Sequence, residues 1–321
     1  MNTAIITGIT GQDGAYLSKL LLEKGYRVIG LTRKISPSNS SGLEYLGIAK
    51  DIKLIECDLL DLPQVIGILK NNKPTEIYNL AAQSSVSLSF TQPIGTLQFN
   101  INSVLNILES IRLVDSSIKF YQASSSEMYG KVKNLPITET TQLHPLSPYA
   151  ISKATAHWST INYREAYGLF SACGVLFNHE SYLRTETFFI KKVITQSINI
   201  SKGIVDVLEV GNIDVKRDFG YAPDYVEAIW KMMQCQEAEE FLICSGQSIS
   251  LREIIYHTFE RLNISQDRLV INSEYYRPTD IEDIYGDPTK AKIKLGWSSR
   301  PHFKETMDVL IEEELANYVV G

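Results

Sequence analysis

The chain is short of the features that would place it outside the cell, in a membrane or on a metal. Its 321 residues include only 4 cysteines, Cys57, Cys173, Cys235 and Cys244, and none stands in a C-x-x-C spacing. Scattered thiols of this kind are expected to be reduced, some in buried strands, which points to a cytoplasmic location. The N-x-S triplets, those at Asn39 and Asn263 among them, then carry no glycosylation signal. None of the 5 histidines falls at a metal-ligand spacing such as H-E-x-x-H, so no metal site is expected. No apolar run reaches the ~18 residues of a membrane span. The opening MNTAIITGITG enters a strand at once, without the basic and apolar regions of a signal peptide. Excess positive charge is also missing. A net charge of −6 argues against a general affinity for nucleic acid or anionic membranes, while leaving room for a local basic pocket. Neither a repeat nor a low-complexity tract is present.

What remains is a chain with 44% hydrophobic residues and 17 tyrosines, enough for one large core or two coupled lobes. Short apolar runs recur at 3–7, 27–31, 53–56, 76–80, 119–123 and 171–177. Helical patterns fill the gaps, at 12–24, 61–71, 95–113 and 149–167, and Gly25 stands where a helix C-cap is expected. Strand and helix alternating at this spacing predicts an α/β fold, a Rossmann-like doubly wound parallel sheet covered on both faces. After Phe177 the rhythm loosens. The segment 178–187 reads as polar and irregular, 188–202, 224–234 and 251–262 as helical, 241–244 as a strand, and 273–288 mostly as loop. The expected division is a dinucleotide-binding domain over 1–177 and a smaller substrate-binding lobe over 178–321, with elements near 205–250 returning to the first. The stretch 36–41 reads as a polar loop.

Four segments carry a cofactor signal. Thr7-Gly8-Ile9-Thr10-Gly11-Gln12-Asp13-Gly14 is a GxxGxxG turn between a strand and a helix. Gly8 permits the tight turn, Gly11 lets the backbone approach a pyrophosphate, and Gly14 lets the helix pack close to the sheet, with the helix N-terminus facing the phosphates. The candidate contacts here are Gly8, Thr10, Gly11, Gln12, Asp13 and Gly14. At the end of the second strand, Arg33 and Lys34 stand where an NAD-specific fold usually places an acid, so NADP is favoured over NAD. After the third strand, Asp58 and Leu59 are candidates for the adenine side. After the fourth, Leu80, Ala81, Ala82 and Gln83 are small or adaptable enough to pass close to a cofactor.

The reactive constellation is Tyr149-Ala-Ile-Ser-Lys153. Positions i and i+4 share one helix face, so a lysine ammonium there favours the tyrosinate and can hold a nicotinamide ribose. A tyrosine titrates near ~10 unaided and needs such help to act as a base near neutrality. Upstream, Gln122-Ala-Ser-Ser125-Ser-Glu127 ends an apolar strand, the end at which open α/β sheets place ligands. Hydride transfer to or from an alcohol needs a Tyr and a Ser. The added carboxylate of Glu127 points to a second proton transfer, α to a newly formed ketone.

At these residues the chain resembles the extended short-chain dehydrogenase/reductase superfamily, and within it the GDP-mannose 4,6-dehydratases. The segments TGITGQDGAYL, IYNLAAQSSVSLSF, FYQASSSEMYG, SPYAISK, NYREAYG, LFNHES and RPTDIEDIYGDPTKAKIKLGW carry the likeness over nearly the whole chain. The resemblance implies that Ser125, in the place of the family's usual threonine, Glu127, Tyr149 and Lys153 are catalytic. It implies that Ser84, His179 and Arg184 join the cofactor contacts. Ser85, Asn178, Lys192, Arg217 and Arg277 become candidates for a GDP-sugar, with arginines suited to its pyrophosphate. Two departures stand out. The family's Ser-Pro-Arg-Arg-Gly-Glu-Thr run is Ser181-Tyr182-Leu183-Arg184-Thr185-Glu186-Thr187 here, and the stretch between Leu262 and Tyr275 is short. Both bear on the sugar, so a GDP-manno-heptose is kept beside GDP-mannose as substrate.

The implied reaction is an internal redox dehydration that leaves NADP unchanged. An NADPH-dependent reductase of the next intermediate is the rival enzyme reading, and a non-catalytic dinucleotide sensor a second rival. The helices at 95–113 and 149–167 carry more apolar positions than one sheet face covers: Leu97, Phe99, Ile101, Leu105, Ile107, Leu108, Trp158, Ile161 and Tyr163. A homodimer through these helices is expected, with a homotetramer completed through the loop at 33–46.

Overall fold

A computed structural model describes residues 1–36, 41–300 and 302–318. Positions 37–40, most of the expected loop at 36–41 and including Asn39, lie outside the described residues. The first half alternates strand and helix, with two consecutive helices between the fourth and fifth strands: β1 (Thr3–Thr7), α1 (Gln12–Glu23), β2 (Arg27–Thr32), α2 (Ser41–Tyr45), β3 (Lys53–Glu56), α3 (Leu62–Asn72), β4 (Glu76–Asn79), α4 (Val86–Thr91), α5 (Pro93–Val114), β5 (Lys119–Ser125), α6 (Pro148–Tyr167) and β6 (Ser171–Leu176). Then come β7 (Asn178–Glu180), α7 (Phe189–Ser201), β8 (Leu208–Val210), β9 (Lys216–Tyr221), α8 (Ala222–Met233), β10 (Glu240–Ile243), β11 (Ser248–Ser250), α9 (Leu251–Arg261), β12 (Leu269–Ile271), α10 (Thr289–Leu295) and α11 (Phe303–Ala316).

Seven strands form one parallel sheet in the order β3-β2-β1-β4-β5-β6-β10. Period-two alternation sends neighbouring side chains to opposite faces. Ala4, Ile6, Val28, Tyr78 and Tyr121 pack with Leu17 and Leu21 of α1 and Ile229 and Met233 of α8. Ile5, Ile29, Ile77 and Phe120 pack on the other face with Val65 and Leu69 of α3 and Val104 and Leu108 of α5. Both faces are therefore covered, as the doubly wound expectation requires. The strand order reverses between β1 and β4, which opens a crevice at their C-terminal ends.

The helix ends follow local chemistry. Asp61 caps α3 by accepting from the Gln64 amide, Ser147 caps α6 from the Ala150 amide, and Ser250 and Glu253 form a reciprocal capping box on α9. Several expectations need correction. Part of 178–187 is ordered as β7, which pairs with β9 in a three-stranded β11-β9-β7 sheet. Strands of three residues are too short to show periodicity. Helix α11 was not anticipated; Met307, Leu310 and Ile311 pack against Ile190, Ile194 and Ile198 of α7. Ile107, Leu108 and Ile161 do not belong to an outward apolar surplus, because all three are buried. In the described part of the 33–46 segment, Leu43 is buried and Tyr45 lies 4.6 Å from Tyr182 of the same chain. Among the described residues no helix is long and apolar enough to cross a membrane.

Candidate active site

The glycine turn is shaped by contacts that leave no room for side chains. Gly8 has φ +69°, and a Cβ there would lie 2.8 Å from the Ala81 nitrogen and 2.9 Å from the Leu80 carbonyl carbon. A Cβ on Gly14 would lie 2.5 Å from the Gly8 oxygen. Gly11 is the N-cap of α1, and no side chain caps that end. The uncapped helix start, with its unpaired amides and partial positive charge, fits a dinucleotide pyrophosphate. Thr10 and Gly11 are exposed on the turn.

Ser125 ends β5, and Tyr149 and Lys153 project from the first turns of α6 toward it. Lys153 is buried, donates to the Ala123 carbonyl at 2.8 Å, and lies 5.9 Å from the centre of the Tyr149 ring. Burial pulls the ammonium down to about 8. Burial pushes the Tyr149 phenol up to about 12, and the nearby Ser125 hydroxyl works in the opposite direction. Ser125 and the more distant cation Arg184 oppose the burial, whereas Glu127 adds to it. The Glu127 carboxylate has no hydrogen-bond partner among the described residues, while its backbone amide donates to Ser125 Oγ at 3.3 Å.

A clamp joins α1 to β7. His179 Nδ1 donates to the Phe177 carbonyl at 2.7 Å, and its Nε2 lies 2.9 Å from both Asp13 oxygens. Burial opposes the imidazolium, but the Asp13 carboxylate outweighs it and holds His179 above its ordinary value. Gln12 Nε2 donates to the His179 carbonyl, and Ser181 Oγ donates to Gln12 Oε1, each at 2.8 Å. Next to His179, the Glu180 carboxylate is buried 3.4 Å from Arg184 Nε, and burial pushes it up despite that cation. Among the described residues, neither Glu180 Oε2 nor Arg184 Nε has a hydrogen-bond partner.

The opposite wall is cationic. Arg217 is buried and donates to the Lys216 and Ile281 carbonyls at 2.8 and 2.5 Å and to Asp280 at 2.7 Å. Arg277 lies 3.7 Å from the same Asp280 carboxylate. Lys192 donates to the Glu209 carbonyl and faces the Tyr275 ring at 5.0 Å.

One cavity of about 370 Å³ gathers most of these groups. Asp13, Leu80, Ala82, Ser84, Ser85, Ser125, Glu127, Tyr149, Lys153, Asn178, His179, Arg184, Lys192, Arg217 and Arg277 all line it. Gly8, Thr10, Gly11, Gln12, Gly14, Arg33, Asp58, Leu59, Ala81 and Gln83 do not. Arg33 is exposed, 6.0 Å from the Phe99 ring. Asp58 is exposed and accepts from the Leu60 amide, whereas Leu59 is buried. The side-chain amide of Gln83 is taken up by Ser85 and Thr96, and Ser85 itself caps α4. Glu180, Asp280, Tyr275 and Tyr276 line the cavity and were missed. The Tyr-Tyr-Arg-Pro-Thr-Asp run at 275–280 was the available signal for the last three.

A parallel sheet with a glycine turn at its switch point and a Tyr–Lys helix beside it defines a dinucleotide-binding enzyme of the short-chain dehydrogenase/reductase type. Residues 5–310 match the GDP-mannose 4,6 dehydratase family. The GDP-mannose 4,6 dehydratase of Homo sapiens is 40% identical, covering 98% of this chain and 91% of that protein. GDP-mannose 4,6 dehydratase 1 of Arabidopsis thaliana is 41% identical over 97% and 89%. The chain belongs to the GDP-mannose 4,6-dehydratase family. Among solved structures, RMD from Pseudomonas aeruginosa complexed with NADPH superposes with a TM-score of 0.82 at 25% identity, covering 99% of this chain and 100% of that one.

Proposed function

We propose that this protein converts GDP-D-mannose to GDP-4-keto-6-deoxy-D-mannose and water, with NADP as its resident cofactor. The observation that carries the reading is the meeting of a buried Tyr–Lys pair, a serine and an unpaired carboxylate in one cavity, opposite a cationic wall. When bound, the nicotinamide supplies the acceptor for the hydride of C4 and its donor to C6. Tyr149, aided by Ser125, takes the C4 hydroxyl proton. The 4-ketone acidifies C5–H, and Glu127 takes that proton and passes it to the departing C6 hydroxyl as water. Tyr149 then returns its proton to C5. Lys153 orients the ribose, and Arg217 and Arg277 bind the diphosphate. Arg33 and Lys34, with no acid at that strand end, support NADP over NAD.

Residues 1–177 would bind the cofactor and 178–321 the sugar nucleotide. A groove of about 520 Å³ on α5 and α6, lined by Leu105, Ile151, Ala154, Trp158 and Tyr163, supports a homodimer there, and light scattering would test it. The free cysteines support a reducing, cytoplasmic location. The deciding experiment is incubation with GDP-mannose and catalytic NADP⁺, followed by mass analysis. Loss of one water without net NADPH consumption is expected. No water loss here, together with stoichiometric NADPH consumption when GDP-4-keto-6-deoxy-D-mannose and NADPH are supplied, would instead make the protein a reductase. A GDP-manno-heptose run in parallel tests the sugar, because Tyr182 and Leu183 depart from the family's run.

A further inference from the structure

Beneath the Tyr149–Lys153 pair runs a line of buried polar side chains to which the chemistry above assigns no role. Thr7, Asn79 and Gln122 stand at matched positions on β1, β4 and β5, Thr7 opposite Asn79 and Asn79 opposite Gln122. Matched positions on adjacent parallel strands face the same side of the sheet. None of the three is more than 2% exposed. Polar groups at that depth are tolerated only when they bond to one another.

Their bonding has a direction. Thr7 Oγ1 accepts from the Leu80 and Ala81 amides at 3.2 and 3.1 Å, and its own hydrogen goes to Asn79 Oδ1 at 2.6 Å. Asn79 then offers Nδ2 to Gln122 Oε1 at 2.8 Å. Gln122 is left with Nε2, which donates to the Ala123 carbonyl at 3.0 Å. Flipping either amide alone would set two donors or two acceptors against each other, so the order is self-consistent. The Ala123 carbonyl also accepts from Lys153 Nζ, at 2.8 Å, the one hydrogen bond this ammonium makes among the described residues. At the other end, the Leu80–Ala81 backbone is the surface against which Gly8 packs without a Cβ.

We infer that Gln122, backed by Asn79 and Thr7, is a positioning residue that fixes the Ala123 carbonyl, and through it the ammonium of Lys153, in a setting tied to the glycine turn. A lysine side chain has a long flexible stem, and here a single acceptor defines where its charge sits. Burial already favours the neutral amine, so a displaced acceptor changes both the place and the charge of Nζ at working pH. The inference rests on the catalytic reading of Tyr149 and Lys153.

The test uses Gln122→Met, which keeps the shape and removes both bonds, and Gln122→Glu, which still accepts from Asn79 but places an anion where the donor stood. Gln122→Met is expected to lower kcat by about 10–100-fold, the scale of an ångström-sized misplacement, with KM for the sugar nucleotide within about twofold. Gln122→Glu is expected to move the alkaline limb of the kcat–pH profile upward, because a nearby anion holds the proton on Lys153. Both are assayed where circular dichroism shows them folded, and if the Met variant does not fold, the limb shift of the Glu variant decides alone. Wild-type kcat and pH profile in the folded variants, even with a lowered Tm, would reduce the line to packing and overturn the inference. Tyr149→Phe runs alongside: full turnover there sinks the catalytic reading itself, and the inference with it, whereas a strong loss there beside unaffected Gln122 variants sinks only the inference.

Discussion

Replacing Gly14 with alanine tests how closely the cofactor turn is packed. In most helices such a change stabilises, because glycine is disfavoured by about 0.5–1 kcal/mol relative to alanine. At Gly14 the sign is expected to invert. The new Cβ would lie 2.5 Å from both the Gly8 oxygen and the Ile9 Cα, which are backbone atoms with no rotamer to yield. Ordinary contact begins near 3.4 Å, so α1 must withdraw by roughly 1 Å. Overpacking of this kind costs about 1–3 kcal/mol, which outweighs the helix gain and leaves a net loss of about 1–2 kcal/mol. Withdrawal also carries the helix N-terminus away from the phosphates, and dinucleotide affinity should fall about tenfold. Gly67, in the middle of α3 with nothing within 4 Å of its would-be Cβ, is the control. Gly67→Ala should gain about 0.5–1 kcal/mol and bind normally. Urea unfolding and NADPH fluorescence titration read both effects. A Gly14→Ala protein as stable as the parent, with unchanged affinity, would refute the reasoning.

Three further outcomes are expected. Glu127→Gln should abolish water loss while NADP affinity stays the same; water loss at the parental rate would remove Glu127 from the mechanism. Arg33→Ala should weaken NADP far more than NAD, and an equal fall in both affinities would show that the 2′-phosphate is bound elsewhere. Lys153→Met should stabilise the free protein at pH 7 by about 3 kcal/mol, because it removes a buried ammonium that titrates near 8 in the fold and near 10.5 when unfolded. Between those values the unfolded chain binds more protons, so parental stability rises with pH and the gap narrows toward pH 10; a gap that does not change with pH would contradict the burial argument.

The parts of the site that lie close together in sequence were legible from it. The glycine turn and the Tyr149–Lys153 pair need only a strand, a turn and one helix face, and the structure places both at the crevice. What local spacing cannot show is a partner far along the chain. His179 meets Asp13 across 166 positions, and Arg217 meets Asp280 across 63. Asn79 and Gln122, each an ordinary strand residue when read alone, become a continuous line only when β4 and β5 lie side by side. The apolar count on α5 and α6 misled at Ile107, Leu108 and Ile161, since composition does not say which face of a helix meets the sheet.

The clamp formed by Gln12, Asp13, His179 and Ser181 bears on how long a cofactor stays. Most dehydrogenases exchange their nicotinamide with the cell's pool at every turnover, so their sites must open. A reaction that hands the hydride back has no use for such traffic. Here α1, whose N-terminus follows the glycine turn, is stitched to β7 and Ser181 by bonds of 2.8–2.9 Å. Under the proposed reaction, a protein built this way is expected to keep a single dinucleotide through many cycles, so that its output would follow the supply of sugar nucleotide independently of the cell's redox balance.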